Sequence, residues 1–285
     1  MKKVLVAGAT GLLGRLVVKE LKQRGYVVRA AAREEDKLLE TGADEVMAID
    51  LTDPYTVQGV CGDVEAVICC SGASMNINRF HDRKSFYRVD YQGNLALLEN
   101  AEYYNLEKFV YVSLAEADKL RYTEYADAHE KFVEALKASK LKHTVVRPTG
   151  FFGFHLEILK FAKKGRGLVI GKGDCRTNPI HESDVARACV DALDSDEEEI
   201  PLGGPETFTR KETVEMAFAA LNRKPSLMSI PPALFKLLIA PLRLVNRRIY
   251  ALMDFGIAVT QIDVIAPNTG SLKLREYFEQ AANTI

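Results

Sequence analysis

Along the first 150 residues, apolar positions gather into short unbroken runs separated by stretches where they recur at helical spacing. The runs are Lys3–Gly8, Val27–Ala32, Glu45–Asp50, Ala66–Cys70, Phe109–Ser113 and Thr144–Arg147. Between them, residues 12–24, 34–41, 54–60, 84–104 and 123–139 read as amphipathic helices. A short apolar run between turns suits a strand buried on both faces, and the intervening helices suit crossovers. The alternation predicts an α/β fold with a doubly wound parallel sheet, its ligands at the carboxyl ends of the strands.

Beyond residue 150 the texture changes. The pattern predicts a helix near 154–164, a short strand at 168–170 and a helix over 182–194 with Val185, Ala186, Cys189, Val190 and Leu193 on one face. Thr209 with Glu212 forms a capping box that opens a helix over 210–222. The acidic run Asp194–Glu199 reads as a solvated loop. So little regular sheet does not make an independent domain. Residues 1–150 are expected to form the core, with 151–285 a smaller, mostly helical substrate-side subdomain packed on it and partly interleaved. From Pro231 to Ile257 the chain is unusually apolar, although Pro241, Lys236 and Arg243 exclude a spanning helix. It reads either as a helix pair closing over a substrate cleft or as an amphipathic surface for a lipid-like ligand, a membrane face or a partner.

Composition narrows the classes. An apolar content of 47% supports a large core, and a net charge of −1 offers no basic face for nucleic acid. Cys61, Cys69, Cys70, Cys175 and Cys189 lack both a disulfide framework and metal-ligand spacing, so no metal is expected. The first strand starts at the N-terminus, leaving no room for a signal peptide, and no uncharged apolar run is long enough for a membrane span. The expected compartment is the cytoplasm.

The chemistry begins where the first apolar run meets Gly8-Ala-Thr-Gly11-Leu-Leu-Gly14. A glycine turn between strand and helix lets backbone approach a pyrophosphate, which the unpaired N–H groups of the helix start then hold. Thr10, Leu12 and Leu13 belong to the same turn. The second run ends in Arg33, nineteen residues beyond Gly14, where an acidic residue would favour NAD and an arginine accommodates a 2′-phosphate. Glu34 and Glu35 follow it, as does Lys37, so Arg33 points to NADP(H) or else is a solvated loop residue. Asp50 and Leu51, after the third run, are placed for the adenine, although Asp50 also suits a helix cap. Ser71 and Gly72 are placed to lie against the nicotinamide-side ribose. His181 reads as either a cleft residue or a structural hydrogen-bonder.

Several further stretches carry a resemblance. With Gly8–Gly14 go Val89-Asp90-Tyr91-Gln92-Gly93-Asn94, Phe109–Ser113, Leu136–Ser139 leading into Thr144–Thr149, Asn178–His181 through Ala186, Gly203–Glu206, and Ala266-Pro267 to Phe278. Over nearly its whole length the chain resembles the atypical short-chain dehydrogenase/reductases. The branch is that of NAD(P)H-binding and NmrA-like proteins related to the extended sugar-nucleotide epimerases. The resemblance implies a Rossmann sheet and a catalytic set of Ser113, Tyr125 and His129. His129 stands where the family has a lysine one helical turn from the tyrosine, and Asp90 where the full tetrad has an asparagine. In competent members the tyrosine exchanges a proton with the substrate oxygen while a nearby cation lowers its pKa. His129 can also hydrogen-bond the ribose and hold part of a positive charge near neutral pH. A register shifted by two residues pairs Asp127 with Lys131 but loses the tyrosine. Three functions follow as expectations. The first is an NADPH-dependent oxidoreductase or epimerase/dehydratase on a small carbonyl or unsaturated substrate. The second is a non-catalytic NADP(H) sensor or assembly factor. The third, implied by the tail's resemblance to divinyl chlorophyllide reductases, is a reductase of a large hydrophobic ring.

Overall fold

The computed structural model describes residues 2–75, 80, 81 and 83–284, and in it the six apolar runs become six strands. They are β1 Lys3–Ala7, β2 Val27–Ala32, β3 Glu45–Ala48, β4 Ala66–Cys69, β5 Lys108–Val112 and β6 Lys142–Pro148. All pair in parallel in the order β3-β2-β1-β4-β5-β6, and Glu199–Leu202 adds a seventh strand beside β6. Leu5 of β1 lies between Arg29 of β2 and Val67 of β4, so the order of connection reverses at β1. That reversal opens a crevice above the carboxyl ends of β1 and β4.

Alternate residues of each strand feed two cores. Val4 and Val6 pack with Val17 and Leu21 of helix Leu12–Gln23 and with Val185, Cys189 and Val190 of helix Glu182–Asp191. Leu5 and Ala7 face the other way, toward Leu97 and Leu98 of helix Asn94–Tyr103 and Phe132 and Leu136 of helix Glu124–Ala138. The helix from the second half therefore completes the first core, and the seventh strand extends the sheet. Helices Phe152–Lys163, Arg210–Ala220 and Leu274–Ala282 build a third core around Phe152, Leu159, Phe218 and Phe278. The Thr209–Glu212 capping box forms with both of its reciprocal hydrogen bonds.

Two local expectations need correction. The acidic run does not end as a solvated loop, because Glu199 starts the seventh strand and meets Arg147 at 2.8 Å and Lys137 at 2.5 Å. Those cations come from β6 and its preceding helix, and only the tertiary fold brings them there. The single helix read over 84–104 is instead π-helical turns over Tyr87–Gly93 leading into Asn94–Tyr103. The wider winding turns Asp90 and Asn94 fully inward, where Asn94 Nδ2 donates to the Asp90 carbonyl at 2.9 Å. Such turns recur at functional sites.

Fully buried Asn178 ties the end of the chain to the body. Its Nδ2 donates to Ala266 O at 2.7 Å and Asn268 Oδ1 at 3.0 Å, and its Oδ1 accepts from Ala266 N at 3.1 Å. Asn178→Ala strands buried backbone groups of Ala266, and a loss of about 3 kcal/mol in unfolding free energy is expected. Denaturant titration checks this, and a change below about 1 kcal/mol would show that water replaces the amide.

Candidate functional site

The helix Leu12–Gln23 begins at Gly11 with no side chain capping it. Its first N–H groups lie free at the carboxyl end of β1, as an anion site requires. Close backbone packing sets the turn. Gly8 has φ +78°, and a Cβ there would lie 2.8 Å from Cys70 O and from the Ser71 backbone. A Cβ on Gly14 would run into the Gly8 carbonyl oxygen, and Gly11 N donates to that same oxygen at 3.0 Å. Arg15, which the sequence reading did not single out, braces the turn by donating to Thr10 O at 3.2 Å and to Glu40 at 3.1 Å.

A cleft of about 250 Å³ runs from this turn across the ends of β1 to β4. Of the expected cofactor residues, Gly8, Thr10, Gly11, Arg33, Asp50, Leu51, Ser71 and Gly72 line it. Leu12, Leu13 and Gly14 form the adjoining first helical turn. Exposed Arg33 has no side-chain partner among the described residues, whereas Lys37 pairs with Glu34 at 2.6 Å. Asp50 is already engaged. It accepts from Thr52 Oγ1 at 2.7 Å and pairs at 2.5 Å with Lys84, a cleft residue with no motif to flag it. Burial raises its pKa, but the Lys84 ion pair and the Thr52 hydrogen bonds outweigh that and hold it at about 2. Asp53, not Asp50, caps the next helix.

The cleft wall at Gly72 and Ala73 is backed by Asp90, whose Oδ1 accepts from Ala73 N at 3.1 Å. Asp90 Oδ1 also lies 3.5 Å from His129 Nε2, and the His129 Nδ1 meets the Tyr111 hydroxyl at 2.6 Å. Asp90 Oδ2 and His129 Nε2 are buried and have no hydrogen-bond partner among the described residues. Burial, only partly offset by the Ala73 N–H, pushes the Asp90 carboxyl up to about 7. Burial, with the Arg147 charge acting in the same direction, pushes His129 down to about 3. His129 therefore carries no charge near neutral pH, contrary to expectation, because its ring is enclosed rather than facing a watery ribose site.

Tyr125 is half-buried, its ring 4.6 Å from that of His129, 5.1 Å from Phe86 and 4.4 Å from Phe255. Its hydroxyl has no partner among the described residues, and burial, then the Asp90 charge, raise its pKa. Ala73 joins the same apolar cluster and so links Tyr125 to the cleft, although neither Tyr125 nor His129 lines it. Ser113 is drawn elsewhere. Its Oγ donates to Glu130 at 3.1 Å, and Glu130 pairs with Arg147 at 2.7 Å, so no hydrogen bond joins Ser113 to Tyr125. His181 takes its structural reading, capping helix Glu182–Asp191 by accepting from Ser183 N at 3.1 Å. The shifted pair Asp127 and Lys131 meets at 3.5 Å as a partly exposed ion pair.

The family profile described as NAD(P)H-binding matches residues 8–196. The chain is 32% identical over 252 residues to the divinyl chlorophyllide a 8-vinyl-reductase of Zea mays, covering 80% of this chain and 61% of that one. It is 28% identical over 236 residues to the photosystem II assembly factor Ycf39 of Guillardia theta, covering 80% and 73%. The chain thus spans about three fifths of the length of the reductase relatives. Among solved structures, an NADPH-dependent quinone oxidoreductase of Escherichia coli in complex with NADPH superposes with a TM-score of 0.77 at 18% identity, over 98% of this chain and 99% of the other. The triphenylmethane reductase of Citrobacter sp. complexed with NADP(H) gives 0.76 at 19%, over 98% and 99%. At these identities the two structures share the fold.

Two outcomes test the geometry. Gly14→Ala forces the turn apart at a cost of ~1–3 kcal/mol and is expected to weaken dinucleotide binding roughly 10- to 100-fold in a titration. The second concerns pH. Folded Asp90 keeps its proton to about pH 7, against 3.8 for a free carboxyl, so its contribution to stability declines as pH rises through that window. His129, lowered from 6.5 to about 3, contributes in the opposite sense, its stability growing as pH rises through its own window. Asp90→Asn removes only the first effect. Relative to the parent, the variant is expected to gain stability steadily between about pH 4 and pH 7, and a constant difference across that range would mean Asp90 is ionised throughout.

Proposed function

We propose, from the premise that the chain belongs to the NAD(P)H-binding family, that it is an NADPH-dependent reductase of a carbonyl or conjugated carbon–carbon double bond. The observation that carries the cofactor choice is the pairing, in one cleft, of a helix start and an arginine after β2 for which the described residues supply neither a side-chain cap nor a side-chain partner. The helix start and Gly8–Gly14 would hold the pyrophosphate, Arg33 the 2′-phosphate, and the Gly72–Ala73 backbone the nicotinamide-side ribose. Bound NADPH would supply the hydride. Tyr125 would give its hydroxyl as a hydrogen-bond donor to the substrate, remaining a phenol because burial, then the Asp90 charge, raise its pKa. Asp90 holds a proton in reserve behind the cleft wall. The relatives named as 8-vinyl-reductases support a vinyl group on a large apolar ring as one form of substrate.

A second reading, a dinucleotide-binding assembly factor, draws support from the neutral His129, since burial and Asp90 raise the Tyr125 pKa rather than lower it, and from the relative Ycf39. Calorimetric titration separates the cofactors. NADPH is expected to bind at least roughly tenfold more tightly than NADH, and Arg33→Ala to erase that preference while leaving NADH affinity unchanged. Equal affinities in the parent chain would remove Arg33 from the cofactor choice. For turnover, Tyr125→Phe is expected to lower kcat of NADPH oxidation roughly 10- to 100-fold with NADPH affinity intact. Binding without oxidation in either protein, across quinone, enone and vinyl-substituted ring substrates, supports the assembly factor.

A further inference from the structure

The apolar segment is not used up by closing the site. Helix Arg247–Val259 buries Ala251, Leu252 and Ala258, and Phe255 packs on Tyr125. The helices before it, Pro232–Ile239 and Leu242–Val245, bury little besides Ile239. Leu234, Leu237 and Leu238 lie at one-turn spacing on one helix face, and Leu244 and Val245 follow, with exposures between 48% and 93%. Single exposed leucines are ordinary, but a contiguous ridge of them marks a surface that something else covers.

We propose that this ridge docks the protein on the surface of an anionic lipid bilayer. Charge selects the occupant. From Met216 to Met253 the sequence holds no aspartate or glutamate, in a chain whose net charge is −1. Exposed Arg223, Lys224, Lys236, Arg243 and Arg247 fall in that stretch. Two carboxylates reach it from neighbouring turns, Asp254 on Lys236 and Glu124 on Arg247, each at 3.1 Å. Both are thereby spent, and among the described residues Arg243, between the two groups of ridge residues, pairs with no carboxylate, nor do Arg223 and Lys224 before strand Leu227–Ile230. Leucines beside an unpaired arginine, on a stretch without acidic residues, form a composition that suits a headgroup layer, the apolar side chains entering the acyl boundary and the cations meeting lipid phosphates. A protein partner fits less well. The five ridge residues are aliphatic and lie among cations, where protein interfaces carry aromatic anchors and few charges. The exposed Tyr122 ring, 5.9 Å from Lys236, is placed as an interfacial tyrosine is at a headgroup layer. Among the described residues no helix is long and apolar enough to cross a membrane, so the contact is one of surface docking.

The test is co-sedimentation of the full chain with vesicles of equimolar phosphatidylglycerol and phosphatidylcholine, against phosphatidylcholine alone. The chain is expected to partition onto the anionic vesicles, at least roughly tenfold less onto the neutral ones, and to be released by high salt. Leu237→Asp combined with Leu244→Asp alters exposed positions only and is expected to abolish partitioning at unchanged NADPH affinity. The unchanged affinity shows the variant folded and keeps this outcome separate from the cofactor reading. Failure of the parent chain to sediment, equal binding to both vesicles, or a double variant that binds like the parent overturns the proposal. So does a parent blind to vesicles that self-associates and is made monomeric by the double variant, which assigns the ridge to a contact between copies.

Discussion

Everything at the carboxyl end of this sheet is arranged around a helix that begins without a cap. Backbone donors at the start of Leu12–Gln23, which no side chain of the described residues caps, are left to water or to an anion. The deficit is enforced by topology. Because β4 lies directly beside β1, the Cys70–Ser71 backbone passes so close to Gly8 that no side chain fits there, and Gly14 is held against the Gly8 carbonyl. A larger residue in the turn would push the helix away from the strand it packs on. The cleft is thus a by-product of the strand-order reversal, and the residues expected to meet a cofactor are those the reversal leaves at its rim.

Helix Glu124–Ala138 then divides two kinds of polar interior. His129 faces Tyr111 and Asp90, a group in which burial favours the neutral forms. The next residue, Glu130, faces Arg147 and Ser113 in a charged network that Glu199 completes. A buried carboxylate needs a close cation, and Arg147 supplies it from β6. That pairing draws the Ser113 hydroxyl away from Tyr125. The Arg147 charge also helps keep His129 neutral. One arginine therefore orders the serine and helps deny the tyrosine a cationic neighbour.

The strands, the crossovers and the glycine turn were legible in the sequence because each depends on local spacing. Val4–Val6 and Leu5–Ala7 divide between faces by simple alternation, and Gly8–Gly14 carries its own geometry. Arg33 was legible too, since its position follows from the length of one strand–helix–strand unit. What the sequence concealed depends on distant residues. Lys84 reaches Asp50 only through the fold, Glu199 joins a strand beside β6 where Arg147 pairs with it, and Asp90 turns inward through a π-helical widening no periodicity announces. The protonation state of His129 belongs to the same class, because burial sets it and spacing does not.

The C-terminal arm joins these two halves of the molecule. Arg248, at the start of the helix that follows the leucine ridge, is fully buried and donates to the Ser74 carbonyl, and Ser74 lines the cofactor cleft. Asn246 caps that helix through Ile249 N at 3.1 Å and donates to Phe80 O at 2.8 Å, fixing the arm to the loop beyond β4. Further along the same helix, Phe255 covers the Tyr125 ring. One helix thus touches the cleft wall, the phenol and the exposed ridge. Displacing Phe255 from Tyr125 disturbs the helix against which the two ridge-bearing helices pack.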